Sequence, residues 1–180
     1  VDARKVTLID MTGPVAVKAF MEGDIDAACV WEPALFKMIQ SGGRFIVPAR
    51  DIIRAGYETY GVVAVSLRFF HNHPDLIRGF IKALNASTAF HRKNPNESYK
   101  LISKKAGLTP EKTAEIMASM EFFLKEEQLS QDWLGTSAAK GKVALNLKQV
   151  ASFLFKEKML TRVLDDYGSF IEPVFLEQIK

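Results

Sequence analysis

Residues 20–34 read FMEGDIDAACVWEPA and carry the strongest fold signal in the chain. Gly23 ends a helix that begins with the Thr-Gly-Pro turn of residues 12–14, because glycine tolerates the left-handed conformation common at helix C-termini. The mostly apolar residues 26–30 then predict a short strand, and the Glu-Pro pair at 32–33 begins the next helix. Strands that alternate with helices in this way predict a parallel sheet with both faces covered.

The pattern changes near residue 60. Before this point, β-branched and apolar runs at 6–9, 45–47 and 60–65 predict three further strands, which makes the fold class α/β. After it, the sequence predicts almost continuous helix. The expected helices cover residues 74–92, 95–107, a stretch from Thr109 and Pro110 onwards, 137–158, and one or two short helices within 164–179.

Composition limits the classes of function. The chain has 180 residues, of which 48% are hydrophobic, and a net charge of +3. These values are typical of a packed globular protein, and the charge is too small to indicate a nucleic-acid partner. No uncharged run is long enough to span a membrane. The few strands and the absence of an apolar signal segment in residues 1–5 lead us to expect a fragment of a longer protein.

Residues that could carry out catalysis or bind metal are better explained by structural roles. Asn72 and His73 precede a helix start, where polar residues cap the helix, and no cysteine or carboxylate accompanies His71 and His73 at metal-ligand spacing. Cys29 lies between apolar neighbours, so we expect it to fill space in the core. Asp24 and Asp26 flank a turn. The sequence therefore predicts no catalytic residue, no metal site and no cofactor.

One group of residues points instead to ligand binding. Trp31 and Glu32 lie where a predicted strand ends and a helix begins, and Thr12 and Gly13 occupy the equivalent place in the preceding unit. In open α/β sheets, ligands bind at the carboxyl ends of the strands, and a helix start offers free N–H groups to an anion. Two interpretations stay open here, because Trp31 could equally be a core aromatic and Glu32 a simple helix cap.

The residues 20–34 resemble a signature of the substrate-binding proteins of taurine, sulfonate and nitrate ABC importers. Members of that family often show a helix, Gly-Asp-Ile-Asp, a strand, Trp-x-Pro and a second helix. The likeness continues in the valine-rich strand at 62–65, in the His-Pro-Asp of residues 73–75, and in two C-terminal segments. The first pairs residues 153–154 with residues 159–160, and the second is residues 165–167.

The resemblance implies a type II periplasmic-binding-protein fold of which this chain holds an incomplete two-lobe part. Residues 1–60 would form part of ligand-binding lobe 2, and residues 61–180 the helix-rich C-terminal part of lobe 1. Trp31 falls on the family's cleft tryptophan. Thr12 stands where taurine binders tend to have Gln, and Tyr60 stands at the hinge where they carry an acidic residue, for which Glu58 is the nearest substitute.

The resemblance also implies the partners and the compartment. We expect a binding protein and not an enzyme, one that closes two lobes over a small anionic or zwitterionic ligand and presents it to an ABC permease. Its place would be the periplasm or the outer face of the membrane, with a lipoprotein anchor as one option. Sulfonates, nitrate-like anions and heteroaromatic ligands stay open.

Three alternatives to a monomeric binding protein stay open. One is an enzyme of the same fold, of the type that makes the thiamine pyrimidine. The second is the sensing domain of a regulator. The third concerns the state of the chain, because a fragment that exposes apolar helix surface would be oligomeric, domain-swapped or unstable.

Overall fold

The computed structural model describes residues 5–48, 51–52, 55–56 and 60–179. Contacts between Cα atoms divide the chain into two compact units, Val1–Thr59 and Tyr60–Lys180. In the described part of the chain, no helix combines the length and the apolar character that crossing a membrane requires.

The core of the N-terminal unit lies between α1 (Gly13–Glu22) and α2 (Ala34–Gln40). Thr12 is the N-cap of α1, and Gly23 ends this helix with a φ of 79°, as the sequence predicts. The two helices pack together around a small apolar core. This core consists of Ala16, Val17, Ala34 and Met38, with Met11, Phe20 and Val30 packed against it.

The segments predicted to be strands show no strand in the described residues. Residues 6–9, 26–30, 45–47 and 60–65 are non-helical, and most of their side chains are exposed. β-branched residues favour extended backbone locally, but a strand also needs a partner whose N–H and C=O groups complete the ladder. The expected α/β sheet is therefore not observed here, and what the structure shows is a helix-rich chain.

The C-terminal unit consists mainly of helices joined by short connections. In chain order these are α3 (Leu67–Asn72), α4 (Pro74–Lys93), α5 (Pro95–Ala106), α6 (Pro110–Met117), α7 (Lys125–Gln128), α8 (Lys142–Lys156), a 3₁₀ helix (Gly168–Phe170) and α9 (Val174–Gln178).

Local signals account for most of these helix boundaries. Pro74, Pro95 and Pro110 each stand in the first turn of a helix, where the missing N–H costs nothing. The Thr109 hydroxyl caps α6 by accepting a hydrogen bond from the Lys112 N–H at 3.2 Å. The predicted starts and the predicted end of α5 next to Gly107 are therefore confirmed.

The helix predicted at 137–158 is shorter than expected, because α8 begins only at Lys142. The residues before it form a tight loop, in which Gly135 and Lys140 make an isolated antiparallel bridge. Gly135 has a φ of 72°, and a Cβ on Gly141 would lie 2.2 Å from the Trp133 carbonyl oxygen. Because both positions are glycine, backbone atoms of this loop can come closer together than a side chain would allow. The chain therefore forms a tight loop here in place of the first turn of the predicted helix.

The C-terminal segment packs back onto the rest of its unit. The Phe175 ring lies 5.3 Å from that of Phe70, and Arg78 donates two hydrogen bonds of 3.1 Å to Gln178. The Glu177 carboxylate accepts hydrogen bonds from the N–H and the hydroxyl of Ser137, at 2.7 and 2.8 Å. These contacts hold α9 against elements that are distant in sequence.

Candidate functional site

The starts of α1 and α2 lie side by side. A Cβ built on Gly13 would be 3.3 Å from the Cβ of Ala34, so the first residues of the two helices nearly touch. This approach brings the Thr12–Gly13 pair next to the start of the helix that follows Trp31 and Glu32. The structure therefore places four of the predicted site residues around one pair of helix ends in the N-terminal unit.

The start of α1 has unused hydrogen-bonding capacity. The Thr12 side chain makes no capping hydrogen bond, although the Thr12 carbonyl accepts the first helical bond from Ala16 at 2.9 Å. The Gly13 and Val15 amides lie in the first turn, where the helix offers no carbonyl to accept their hydrogen bonds, and Pro14 between them has no N–H. No acidic residue lies in the first turn to offset the positive end of the helix dipole. This helix end suits an anionic group.

The start of α2 is different, because a side chain of the protein already occupies it. Pro33 is the N-cap, and Glu32, one residue earlier, accepts a hydrogen bond from the Phe36 N–H at 3.2 Å. The sequence predicts Glu32 as the cap residue and Pro33 as the first helical residue, so the boundary lies one residue later than expected. The carboxylate nevertheless caps the helix, and its charge offsets the positive end of the dipole.

Trp31 is a surface residue, with 81% of it exposed to solvent. The alternative interpretation of this tryptophan as a core aromatic is therefore not what the structure shows. Its contact with a ligand stays a prediction. Cys29, two residues earlier, is also exposed. The expectation that Cys29 fills the core is wrong, because the segment around it is not paired into a buried sheet in the described residues.

The two remaining predicted site residues are Glu58 and Tyr60, and their contact with a ligand stays a prediction. Glu58 lies outside the described residues. Tyr60 belongs to the C-terminal unit, where its hydroxyl oxygen contacts the Asn146 side-chain nitrogen and its ring meets Trp133 edge-on at 5.7 Å. Trp133 in turn packs on Phe123 at 4.1 Å. Sequence reasoning missed this aromatic cluster, because its members are far apart along the chain.

The two histidines first considered as metal ligands have aromatic neighbours. His73 is the N-cap of α4 without a side-chain capping bond, and its ring lies 4.7 Å from that of Phe69. His71 meets Phe70 edge-on at 5.3 Å. Within the ranges that the structure describes, no three His, Cys, Asp or Glu residues are grouped so that they could hold a metal ion.

A charged cluster in the C-terminal unit lines a cavity of about 320 Å³. Arg92 forms an ion pair of 2.8 Å with Glu127, and the Glu127 carboxylate also accepts a hydrogen bond from the Leu124 N–H. The hydrogen bond from Arg92 is the main cause that holds the pKa of Glu127 below its usual range. The ion pair and the hydrogen bond from Leu124 together fix the start of α7, which is a structural role.

Comparison with known proteins agrees with the resemblance of residues 20–34. The family model described as "NMT1/THI5 like" matches residues 1–98, which is more than half of the chain. The chain belongs to the NMT1/THI5-like family. Two curated proteins also match. The taurine-binding periplasmic protein of Escherichia coli (strain K12) is 25% identical over 178 residues, which are 96% of this chain and 53% of that protein.

The second relative of this NMT1/THI5-like chain is a putative aliphatic sulfonates-binding protein of Bacillus subtilis (strain 168). It is 23% identical over 163 residues, which are 89% of this chain and 44% of that protein. The chain thus spans about half the length of the curated relatives it matches. The NMT1/THI5-like match contains both helix starts and Trp31, and the resemblance to taurine- and sulfonate-binding proteins is confirmed.

Proposed function

We propose that this chain is part of an extracytoplasmic solute-binding protein of an ABC importer, and that it takes a small anionic or zwitterionic ligand of the sulfonate or taurine type. The observation that carries the proposal is the match to a taurine-binding and an aliphatic sulfonates-binding protein along 96% and 89% of the chain. The proposed partners are the ligand and a membrane permease.

The proposed ligand site lies at the two adjacent helix starts of the N-terminal unit. The acid group of the ligand would accept hydrogen bonds from the Thr12 hydroxyl and from the free amides at the start of α1. The exposed indole of Trp31 would cover the carbon skeleton, because burying apolar surface against it contributes about 25 cal/mol per Å². A ligand with one acid end and a short apolar body fits both features.

Glu32 supports an orientation for this ligand. Its carboxylate caps α2 and is half-buried, so an acid group placed beside it would meet a like charge. The acid group therefore belongs at α1, where no carboxylate stands in the first turn. An amine, as in taurine, would be favoured on the Glu32 side. This division makes a zwitterionic aminosulfonate the best fit among the proposed ligands.

An enzyme on the same fold is the second candidate. The observation in its favour is that Cys29, two residues before Trp31, is exposed and could reach a substrate. Cys29→Ser distinguishes the two functions. The binding proposal expects unchanged affinity in this variant, whereas a reaction that uses the thiol would be lost.

Fluorescence titration tests the proposed site directly, because the chain has two tryptophans. Trp133→Phe leaves Trp31 as the single reporter, and Trp31→Phe is the matched control that leaves Trp133. With taurine, methanesulfonate and nitrate as probes, we expect a saturable change in the variant that keeps Trp31 and little change in the control. The proposal fails if calorimetry finds no saturable heat with any of the three probes at millimolar concentration.

A further inference from the structure

A groove of about 440 Å³ lies beside α8 in the C-terminal unit. One wall is a stripe of α8 residues at three- and four-residue spacing, which a helix places on one face. The other wall is the segment 160–167, which follows the helix. The apolar residues of the two walls are Leu147, Val150, Ala151, Leu154, Leu160 and Leu164. The volume lies within the range of about 300–1,000 Å³ that is typical of small-molecule sites.

Hydrogen bonds to α8 hold the second wall in place. Lys158 has a φ of 60°, and this left-handed residue reverses the chain after the helix. The Met159 N–H then donates a hydrogen bond to the Leu154 carbonyl at 2.8 Å, and the Lys148 ammonium group donates one to the Asp165 carbonyl at 2.9 Å. Because both ends of the segment are tied to α8, the groove is formed before a ligand enters it.

The polar groups of the groove can all donate hydrogen bonds, and they come from the second wall. They are the guanidinium group of Arg162 and the hydroxyls of Thr161 and Tyr167. The Tyr167 oxygen already accepts a hydrogen bond from the Leu164 N–H at 3.3 Å, so its own hydrogen is left to donate. Arg162 forms no ion pair with any carboxylate in the described part of the chain. Its positive charge is therefore available to a ligand.

The neighbouring carboxylates do not occupy the groove. Asp165 and Asp166 belong to the same segment, but neither of them lines the groove. The Asp166 carboxylate accepts a hydrogen bond from the Gly168 N–H at 2.7 Å. Since none of the described residues that line the groove is acidic, a negatively charged group there would meet a cation and no like charge.

We propose that this groove binds an alkyl acid, which is a carboxylate or sulfonate at the end of an aliphatic chain. Arg162 pairs with the acid group through charge-assisted hydrogen bonds, and the two hydroxyls add neutral ones. The leucine and valine side chains cover the aliphatic chain, because its apolar surface thereby leaves water. This site lies within the C-terminal unit, and the inference does not depend on the ligand site proposed at α1 and α2.

Calorimetric titration of the 180-residue chain with octanesulfonate, below its micelle concentration, tests the proposal. Octyltrimethylammonium is the matched probe, because it has the same alkyl chain and the opposite charge. We expect saturable binding of octanesulfonate and an association constant at least tenfold lower for the ammonium probe. Equal binding of the two probes would mean adsorption to apolar surface alone and overturns the proposal, and so does a titration without saturable heat.

Two pairs of variants locate the bound probe. Arg162→Gln should bind octanesulfonate at least tenfold more weakly, whereas Arg68→Gln removes the same charge from an exposed residue of α3 that does not line the groove. Val150→Asn should also weaken binding, and Leu145→Asn should not. Both residues are exposed on α8, so the fold should persist in both variants, but only Val150 lines the groove.

Competition with taurine separates this groove from the ligand site proposed in the N-terminal unit. Taurine has no alkyl chain long enough to fill the groove, so excess taurine should leave the octanesulfonate affinity unchanged. If taurine abolishes octanesulfonate binding, or if Arg162→Gln binds octanesulfonate as well as Arg68→Gln does, the probe lies elsewhere and the proposal is overturned. Either result leaves the proposal for the site at α1 intact.

Discussion

Replacing Thr12 by aspartate is expected to stabilise the protein and to weaken ligand binding at the same time. Thr12 is the N-cap of α1, but its side chain makes no capping hydrogen bond. Aspartate is a better N-cap than threonine, and a carboxylate interacts favourably with the positive end of the helix. We therefore expect Thr12→Asp to raise the free energy of unfolding by about 0.5 kcal/mol.

The effect on binding has the opposite sign, because the new carboxylate competes with the acid group of the ligand. Two unit charges 4 Å apart repel each other by about 1 kcal/mol in water and about 4 kcal/mol near a protein surface. Thr12 is exposed, so its surroundings lie between these limits. The affinity for taurine or methanesulfonate should fall by roughly fivefold to a thousandfold.

Thermal unfolding and isothermal titration calorimetry on the same samples separate the two effects. Thr12→Asn is the matched control, because asparagine also caps a helix well but carries no charge. We expect it to keep most of the affinity. If Thr12→Asp and Thr12→Asn bind methanesulfonate equally well, the acid group does not lie at the start of α1 and the reasoning is refuted.

Three further predictions concern single side chains. Trp31→Ala should weaken ligand binding at least tenfold without lowering the melting temperature, because an indole that is 81% exposed contributes little to the core; titration and melting curves check both parts. Thr109→Ala should lower the free energy of unfolding by about 1 kcal/mol in denaturant titrations, since the Lys112 N–H loses its cap. The pKa of Glu177 is lowered mainly by the hydrogen bond from the Ser137 N–H and next by the one from the Ser137 hydroxyl. The stability that these bonds add is therefore present at neutral pH and is lost as the pH falls through the lowered pKa. Glu177→Gln should therefore show a smaller loss of melting temperature on acidification than the unchanged chain, and equal losses would contradict this linkage.

Helix boundaries could be read from the sequence wherever a single residue enforces them. Gly23 ends α1 and Gly107 ends α5, each with a positive φ that other residues rarely adopt. The prolines at 74, 95 and 110 begin α4, α5 and α6. These signals act through the sterics and hydrogen bonds of a few neighbouring residues, so no knowledge of distant contacts is needed. The loop before α8 was missed, because its glycines approach backbone atoms several residues away.

The candidate site was predictable only in part. The sequence singled out Thr12, Gly13, Trp31 and Glu32 as residues at two helix starts, and the packing of α1 on α2 places those starts together. The sequence could not show that the Glu32 carboxylate already caps α2. This contact depends on the Glu32 side-chain rotamer and on the position of the helix start after Pro33. The difference in charge between the two helix ends follows from this contact.

Short-range chemistry in the sequence predicts the starts of α4, α5 and α6, the helix-breaking residues and the family signature at 20–34. Which apolar residues are buried depends on tertiary packing instead. Cys29 and Trp31 lie in an apolar stretch, yet both are exposed, and Phe80 is exposed on the same helix that buries Ile77. Leaving water lowers the free energy of an apolar side chain. Burial also requires a second surface to pack against, and that surface comes from residues far away in the chain.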